Sequence, residues 1–468
     1  MTIPTDFVAG DVVQIHGGPY TTGADRFYIR GHGNANNPII ITGANASTKP
    51  IFQKKVHFSN SSYIIFEHIK IQPQYGGIEI RPLISGITLS NISVRFCDIV
   101  GTGSFKNGQS FSAHSDYDDI SSIVFYRNTS QNSGQWDAET EDDSPCFSVQ
   151  HNAQNVWILE NTGFQSGGDG VILAHGANFS TQYIYIGRNT FYQNRENGID
   201  LKQANDVIVS ENIIYNHRPT SSSAGEGIVI HYDPSRIWIL NNLIYDCEFG
   251  VVVIGAFDTH IVGNVIRNIN HTTASYDPTS AYSNGSAIHI RNSSRIHVSH
   301  NTIANYDTGI QSPSAFIFNF TDNIFYNRME AYGFEILQSA SADNVFMDRN
   351  IFHPIVSGER IGWGSNNPLT LSTFISNFTP LGINCNLLDP LFVNAGQDNY
   401  NLLENSSAIS EGEKSNSFDD FFVIYSRSIA FDKNLLPRPN DLWDIGAYEY
   451  VESGDITPPN APINLLVL

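Results

Sequence analysis

Residues 156–164 read VWILENTGF, and the same frame, apolar-x-apolar-x-x-Asn-x-apolar, keeps returning along the chain. It recurs as IYIGRNTF (184–191), VIVSENII (207–214), IWILNNLI (237–244), HIVGNVI (260–266), IHVSHNTI (296–303), FNFTDNIF (318–325) and VFMDRNIF (345–352). Its Asn falls at Asn161, Asn189, Asn212, Asn242, Asn264, Asn301, Asn323 and Asn350, with earlier members expected at Asn91 and Asn128. The shortest steps, Asn242 to Asn264 and Asn301 to Asn323, are of 22 residues, and the longer ones accommodate insertions. A step of that length, built of three short alternating strands, matches one rung of a parallel β-helix. Rungs stack at roughly 4.8 Å, and alternate side chains point into the bore and outward. The repeated Asn is read as a turn residue whose amide bonds its own backbone, tolerates a left-handed conformation and stacks on the Asn of the next rung. A leucine-rich solenoid is excluded, because no L-x-x-L-x-L frame exists.

Composition agrees with a large strand-and-turn protein. The 468 residues are 41% hydrophobic and only 15% charged, and windows rich in Ala, Leu, Glu and Lys are missing. Lys and Arg total 25 against 46 Asp and Glu, a net charge of −21, and no basic tract could follow a phosphate backbone. Nucleic acid is therefore not expected as a partner. No run of eighteen apolar residues and no charged-then-apolar leader is present, so membrane insertion is not expected either. Cys97, Cys146, Cys247 and Cys385 lack metal or disulfide spacing and are read as buried thiols.

After each Asn comes a loop of variable length, often a Gly, and a second alternating strand, as in GGIEIRP, GDGVILAH, ENGIDLKQ and GEGIVIHY. Aligning these strands gives two outward columns. One runs Glu79, Ser112, Ser148, Ile172, Asp200, Val229, Val252, His289 and Glu335; the other runs Arg81, His114, Gln150, Ala174, Lys202, His231, Ile254, Arg291 and Leu337. Within 199–202, Ile199 and Leu201 face the bore while Asp200 and Lys202 project together, with His231 one rung away. The longest insertions, 101–110, 133–145, 217–225 and 270–285, all precede strands of this face and would wall it into a groove. Such a groove suits an extended polymer, and Trp136, Tyr232, Tyr276 and Tyr282 are candidates to stack on sugar rings.

Over nearly all of its length the chain resembles the right-handed parallel β-helix families of polysaccharide lyases and glycoside hydrolases. GDVVQIHGGPYTTG (10–23) with NPIIITG (37–43) is similar to their opening segment, and DPLFVNAGQDNYNLLENSSAIS (389–410) with DLWDIGAYEY (441–450) to their closing one. The Asn-rich coils and DIGAYEY look like the β-helix module of archaeal disaggregatases. That resemblance implies an enzyme acting on an extracellular, uronic-acid-containing matrix glycan. DITPPNAPINL (455–465) looks like a linker into a fibronectin-III-like domain and implies a longer, exported protein, secreted or held at the cell surface. The expected fold is all-β, a right-handed parallel β-helix of about ten or more coils. It is divided as an N-terminal cap (1–55), coils (56–378), a C-terminal cap (379–452) and a linker (453–468).

Two chemistries are open at Asp200 and Lys202. In β-elimination Lys202 would be the base, with His231, Arg81, Arg291 and Gln150 neutralising the uronate carboxylate, although Asp200 opposes deprotonation of the lysine. In hydrolysis Asp200 would work with Asp169 or Glu226, each of which precedes the Gly of a neighbouring rung. His114, Tyr232 and Trp136 complete the substrate-binding candidates. No cofactor is assigned, and Asp137, Glu139, Glu141, Asp142 and Asp143 form a candidate Ca2+ loop without EF-hand spacing. A non-catalytic, adhesive glycan binder is the alternative reading, and a trimer packed through Val252 and Ile254 is an alternative assembly.

Overall fold

The structure is a computed structural model. It describes residues 6–73, 75–102, 108–136, 142–173, 180–217, 219–220, 223–271, 285–315, 318–338, 344–354 and 358–452. The expectations that fell on Ala174, Tyr276, Tyr282, the acidic residues Asp137, Glu139 and Glu141, and the linker 453–468 lie outside the described residues. The chain forms two compact units, 1–235 and 236–468.

In the first unit, strands stack in parallel from Asp6–Val8 onward. A full rung is seen in Val171–Leu173, Gln182–Gly187 and Thr190–Tyr192, which pair in register with Ile199–Lys202, Asn205–Ser210 and Ile213–Tyr215. The bore is filled by the inward half of each alternation. Phe111, Phe125, Phe147, Phe191, Ile199, Leu201, Ile228 and Ile230 are fully buried, and Phe111 stacks on Phe147 at 4.8 Å. At about 1.5–3 kcal/mol per buried large side chain, this column of apolar rungs is what holds the coil. The glycine that opens many second strands is required by close approach. A Cβ on Gly170 would lie 2.5 Å from the Gly198 carbonyl, and one on Gly198 2.5 Å from that of Gly227.

The Asn ladder is present in both units and differs from expectation in two respects. Each Asn Oδ1 accepts from the backbone N–H and the Nδ2 of the Asn before it, running Asn128, Asn161, Asn189, Asn212 in the first unit. Asn242, Asn264, Asn301, Asn323 and Asn350 repeat the arrangement in the second. The left-handed residue is the one before the Asn: Glu160, Arg188 and Glu211 have φ of 52°, 54° and 59°. The second departure is that Asn91 is no member. Cys97 takes that rung and donates its N–H to Asn128 Oδ1, while Cys385 closes the other ladder by accepting from Asn350. All four cysteines are free and buried.

Within the second unit the strands also stack in parallel, as far as Ile361–Trp363. Thr308–Ala315 forms a rung that the strand alignment passed over, so that His289 faces Gln311 and Gln311 faces Leu337. Leu337 therefore belongs to the column of His289, and Glu335 leaves the surface altogether: it is fully buried against Arg328, 3.2 Å away. Val252, offered as an assembly contact, is buried. Two helices follow, α1 (Leu371–Phe378), capped by Thr370, and α2 (Asn416–Tyr425), whose Phe421 lies edge-on to Trp238. DIGAYEY is a structural latch. Asp444 accepts from the N–H groups of Ser410 and Tyr450, Glu449 pairs with buried Arg438, and Gly446 at φ 95° donates to the Asp322 carbonyl. Among the described residues no helix is long and apolar enough to cross a membrane.

Candidate active site

The strands that carry Asp200, Lys202 and His231 lie in the first unit and are locked by parallel pairing. Ile172 faces Asp200, Asp200 faces Val229, and Lys202 faces His231. Because Ile199 and Leu201 must enter the bore, Asp200 and Lys202 are forced to the outside together. There the Asp200 carboxylate bridges two groups: Oδ2 meets Lys202 Nζ at 2.9 Å and Oδ1 meets His231 Nε2 at 2.8 Å. Asp200 is only 3% exposed, whereas the Lys202 and His231 side chains keep 19% and 21% of their surface. A carboxylate between the aliphatic Ile172 and Val229 is poorly solvated, which strengthens its hold on both partners.

This arrangement fixes charge states. Burial works against the Lys202 ammonium, but the carboxylates of Asp200, Asp169 and Glu196 outweigh it and raise the pKa above the ordinary lysine value. The ion pair with Asp200 favours the Lys202 ammonium, which weighs against Lys202 as the base. With Nε2 hydrogen-bonded to Asp200, the remaining ring nitrogen of His231, Nδ1, carries the lone pair when the imidazole is neutral. The Tyr232 ring lies 4.4 Å from the imidazole, and Tyr232 is 56% exposed.

Asp169 and Glu226 have hydrogen-bond partners of their own, though both feel the Asp200 charge. Asp169 Oδ1 accepts from both the backbone N–H and Nδ2 of Asn197, at 3.1 and 3.0 Å. Asn197 Oδ1 accepts from the Glu226 N–H and faces Ser223 Oγ at 2.7 Å, and Ser223 Oγ lies 2.7 Å from Glu226 Oε2. The Ser223 hydroxyl thus stands between the two oxygens and can donate to either. Burial, with Asp200 adding to it and the Ser223 hydroxyl opposing it, raises the Glu226 pKa. Burial also raises that of Asp169, with Glu196 and Asp200 adding to it. Neither acid joins His231. Glu226 and His231 are the two ends of one strand, roughly 16 Å apart at 3.3 Å per residue.

The other candidates are dispersed. Arg81 pairs with Asp116 at 2.6 Å, and Glu79 is tied to Lys55 at 2.9 Å. His114 faces Gln150, and among the described residues neither side chain makes a hydrogen bond. Trp136 is half-buried. Arg291 belongs to the second unit, opposite Ile254 and Ser314. Of the acidic loop, Asp142 is buried and accepts from Gln135 N at 2.5 Å. Two Asp/His/Glu groups in the second unit have converging ligand atoms, Asp258 with His260 and His297, and His271 with Asp307 and Glu330. In the former the two imidazoles stack at 4.7 Å and 6°, so their in-plane lone pairs do not meet at one point. Asn197, Ser223, Asp116 and His151 were missed as site residues; they bond sideways between rungs, and only the register would have shown it.

The family model described as right handed beta helix region matches residues 146–285. No curated protein sequence matches the chain. A mannuronic acid specific polysaccharide family 6 lyase from human gut microbiota is 15% identical, with 84% of this chain and 88% of that one covered and a TM-score of 0.51. A variant of the PL6 family alginate lyase AlyGC is 14% identical, with 96% and 56% covered and a TM-score of 0.53. A periplasmic alginate epimerase is 12% identical, with 65% and 66% covered and a TM-score of 0.39. The parallel registers, the family match and the two lyase structures above 0.5 agree on one architecture: this is an all-β chain of right-handed parallel β-helix fold.

Proposed function

We propose that the first unit cleaves an extracellular, uronate-containing polysaccharide by β-elimination. The observation that carries this reading is the Asp200 carboxylate held between a lysine ammonium and a histidine on an outward face. His231 Nδ1 takes the proton from the carbon beside the uronate carboxylate, the electron pair forms the new C=C bond, and the bond to the glycosidic oxygen breaks, that oxygen taking a proton from water. Lys202, a candidate base on sequence alone, instead offers its remaining N–H donors to the uronate carboxylate and so stabilises the charge that develops there. Asp200 orients the imidazole and stabilises its protonated form.

Hydrolysis is less well supported. Both Asp200 oxygens are engaged, and Asp169 Oδ1 is taken by Asn197. Mannuronic acid, named for one structural neighbour, is a uronate, in keeping with the substrate class. The resemblance to archaeal disaggregatases makes a uronate-rich cell-matrix glycan the substrate to test first. Incubation of the protein with such glycans, following absorbance of unsaturated ends together with reducing ends, tests the reading. Both should rise in parallel; reducing ends alone mean hydrolysis, and silence on all substrates leaves a glycan-binding protein.

A further inference from the structure

The bridge seen at Asp200 recurs lower on the same unit. Asp116 Oδ2 lies 2.6 Å from Arg81 NH2 and Oδ1 lies 2.6 Å from His151 Nδ1, again a carboxylate between a cation and an imidazole. The second copy is more open: Asp116 and Arg81 keep 33% and 37% of their side-chain surface, against 4% for Asp200. An ion pair so exposed adds little to stability, and Arg81 has donors beyond those that face Asp116. Glu79, the other acid near Arg81, is 3.9 Å away and already paired with Lys55 and Arg26.

Beside this pair stands His114, its ring 5.8 Å from that of His151. Burial, with Arg81 adding to it, pushes its pKa down to about 4, so it is a neutral donor and acceptor. Register places this group relative to the proposed cleavage point. Ser112 faces Ser148, Ser148 faces Ile172, Ile172 faces Asp200 and Lys202 beside it faces His231, so His114 stands four rungs, roughly 19 Å, from His231, and the Arg81 strand one rung further. Gln150, with no hydrogen bond of its own among the described residues, lies on the way. A pyranose unit advances a chain by about one rung.

We propose that Arg81 and His114, with Asp116 and His151 fixing the guanidinium, bind the carboxylate of an acidic sugar about four residues away from the bond cleaved at His231. This subsite rests on the reading of the substrate as a uronate polymer. It makes the protein prefer chains long enough to span both points.

The test uses purified uronate oligosaccharides of graded length on the full chain and on Arg81→Ala and His114→Ala. For oligomers that span the rungs, kcat/KM should fall roughly tenfold to a hundredfold in Arg81→Ala, as expected on losing a charged hydrogen bond, with KM carrying the change. For oligomers too short to span, it should stay unchanged. Equal losses at every length, or none at any length, overturn the subsite. Binding of the same oligomers by calorimetry separates the two readings. A length-dependent affinity that Arg81→Ala abolishes upholds the subsite even if no oligomer is cleaved; affinity independent of length removes it whatever the chemistry.

Discussion

Burial of Glu226, with Asp200 adding to it, outweighs the Ser223 hydroxyl 2.7 Å from its Oε2 and raises its pKa. It has a consequence for stability. The pKa of Glu226 in the folded chain is raised above the ordinary 4.5, so the neutral acid supports the fold fully below that value. That support fades as pH rises through the raised folded value. Glu226→Gln keeps a hydrogen-bonding partner for Ser223 and does not titrate, so its thermal midpoint should gain on the wild type steadily as pH is raised from about 4.5 to neutrality. A gap that stays constant with pH would mean that Glu226 is ionised. Lys202 shows the opposite balance, its charge supported by carboxylates that overcome burial. Asp200 and Lys202 were legible as an outward pair from alternation alone. Which nitrogen or oxygen each used was not, because that depends on side chains one rung away.

The Asn ladder is where sequence pattern and physical role agree most closely. Each amide satisfies a backbone carbonyl on one side and the next Asn on the other, as Asn189 does with Ile158 O at 2.8 Å and Asn212 Oδ1 at 2.9 Å. Asn189→Ala strands the Asn161 N–H and Nδ2 and the Ile158 carbonyl in the dry interior. At about 1–3 kcal/mol for each buried unpaired group, part of it relieved by relaxation, a loss of about 3 kcal/mol is expected. It would be read as a lower midpoint in chemical denaturation, and an unchanged midpoint would show that the ladder is ornamental. The frame located this Asn but not its conformation, since Glu160, Arg188 and Glu211 turn the chain just before it. Asn91 entered the series because spacing alone cannot separate a ladder Asn from one in a neighbouring turn. Thr308–Ala315 escaped because its second inward position is Ser312, not an aliphatic residue.

For the chain as a solenoid, the repeat was enough to give the parallel β-helix, because a bore needs the same apolar alternation on every rung. The loops that would wall a groove could not be placed from pattern, and DIGAYEY, suggestive as a family mark, is occupied in holding the C-terminal segment through Asp444, Arg438 and Glu449. The proposed chemistry depends on parallel register delivering Asp200 and His231 as one functional group. A double-mutant cycle on formation of unsaturated product tests that most directly, with Asp200→Asn, His231→Gln and the pair compared in kcat/KM. His231→Gln should cost roughly 10²–10⁴-fold, as for loss of a general base, and the double variant should lose no more than His231→Gln alone. Losses that multiply, or a His231→Gln protein as fast as wild type, would contradict it.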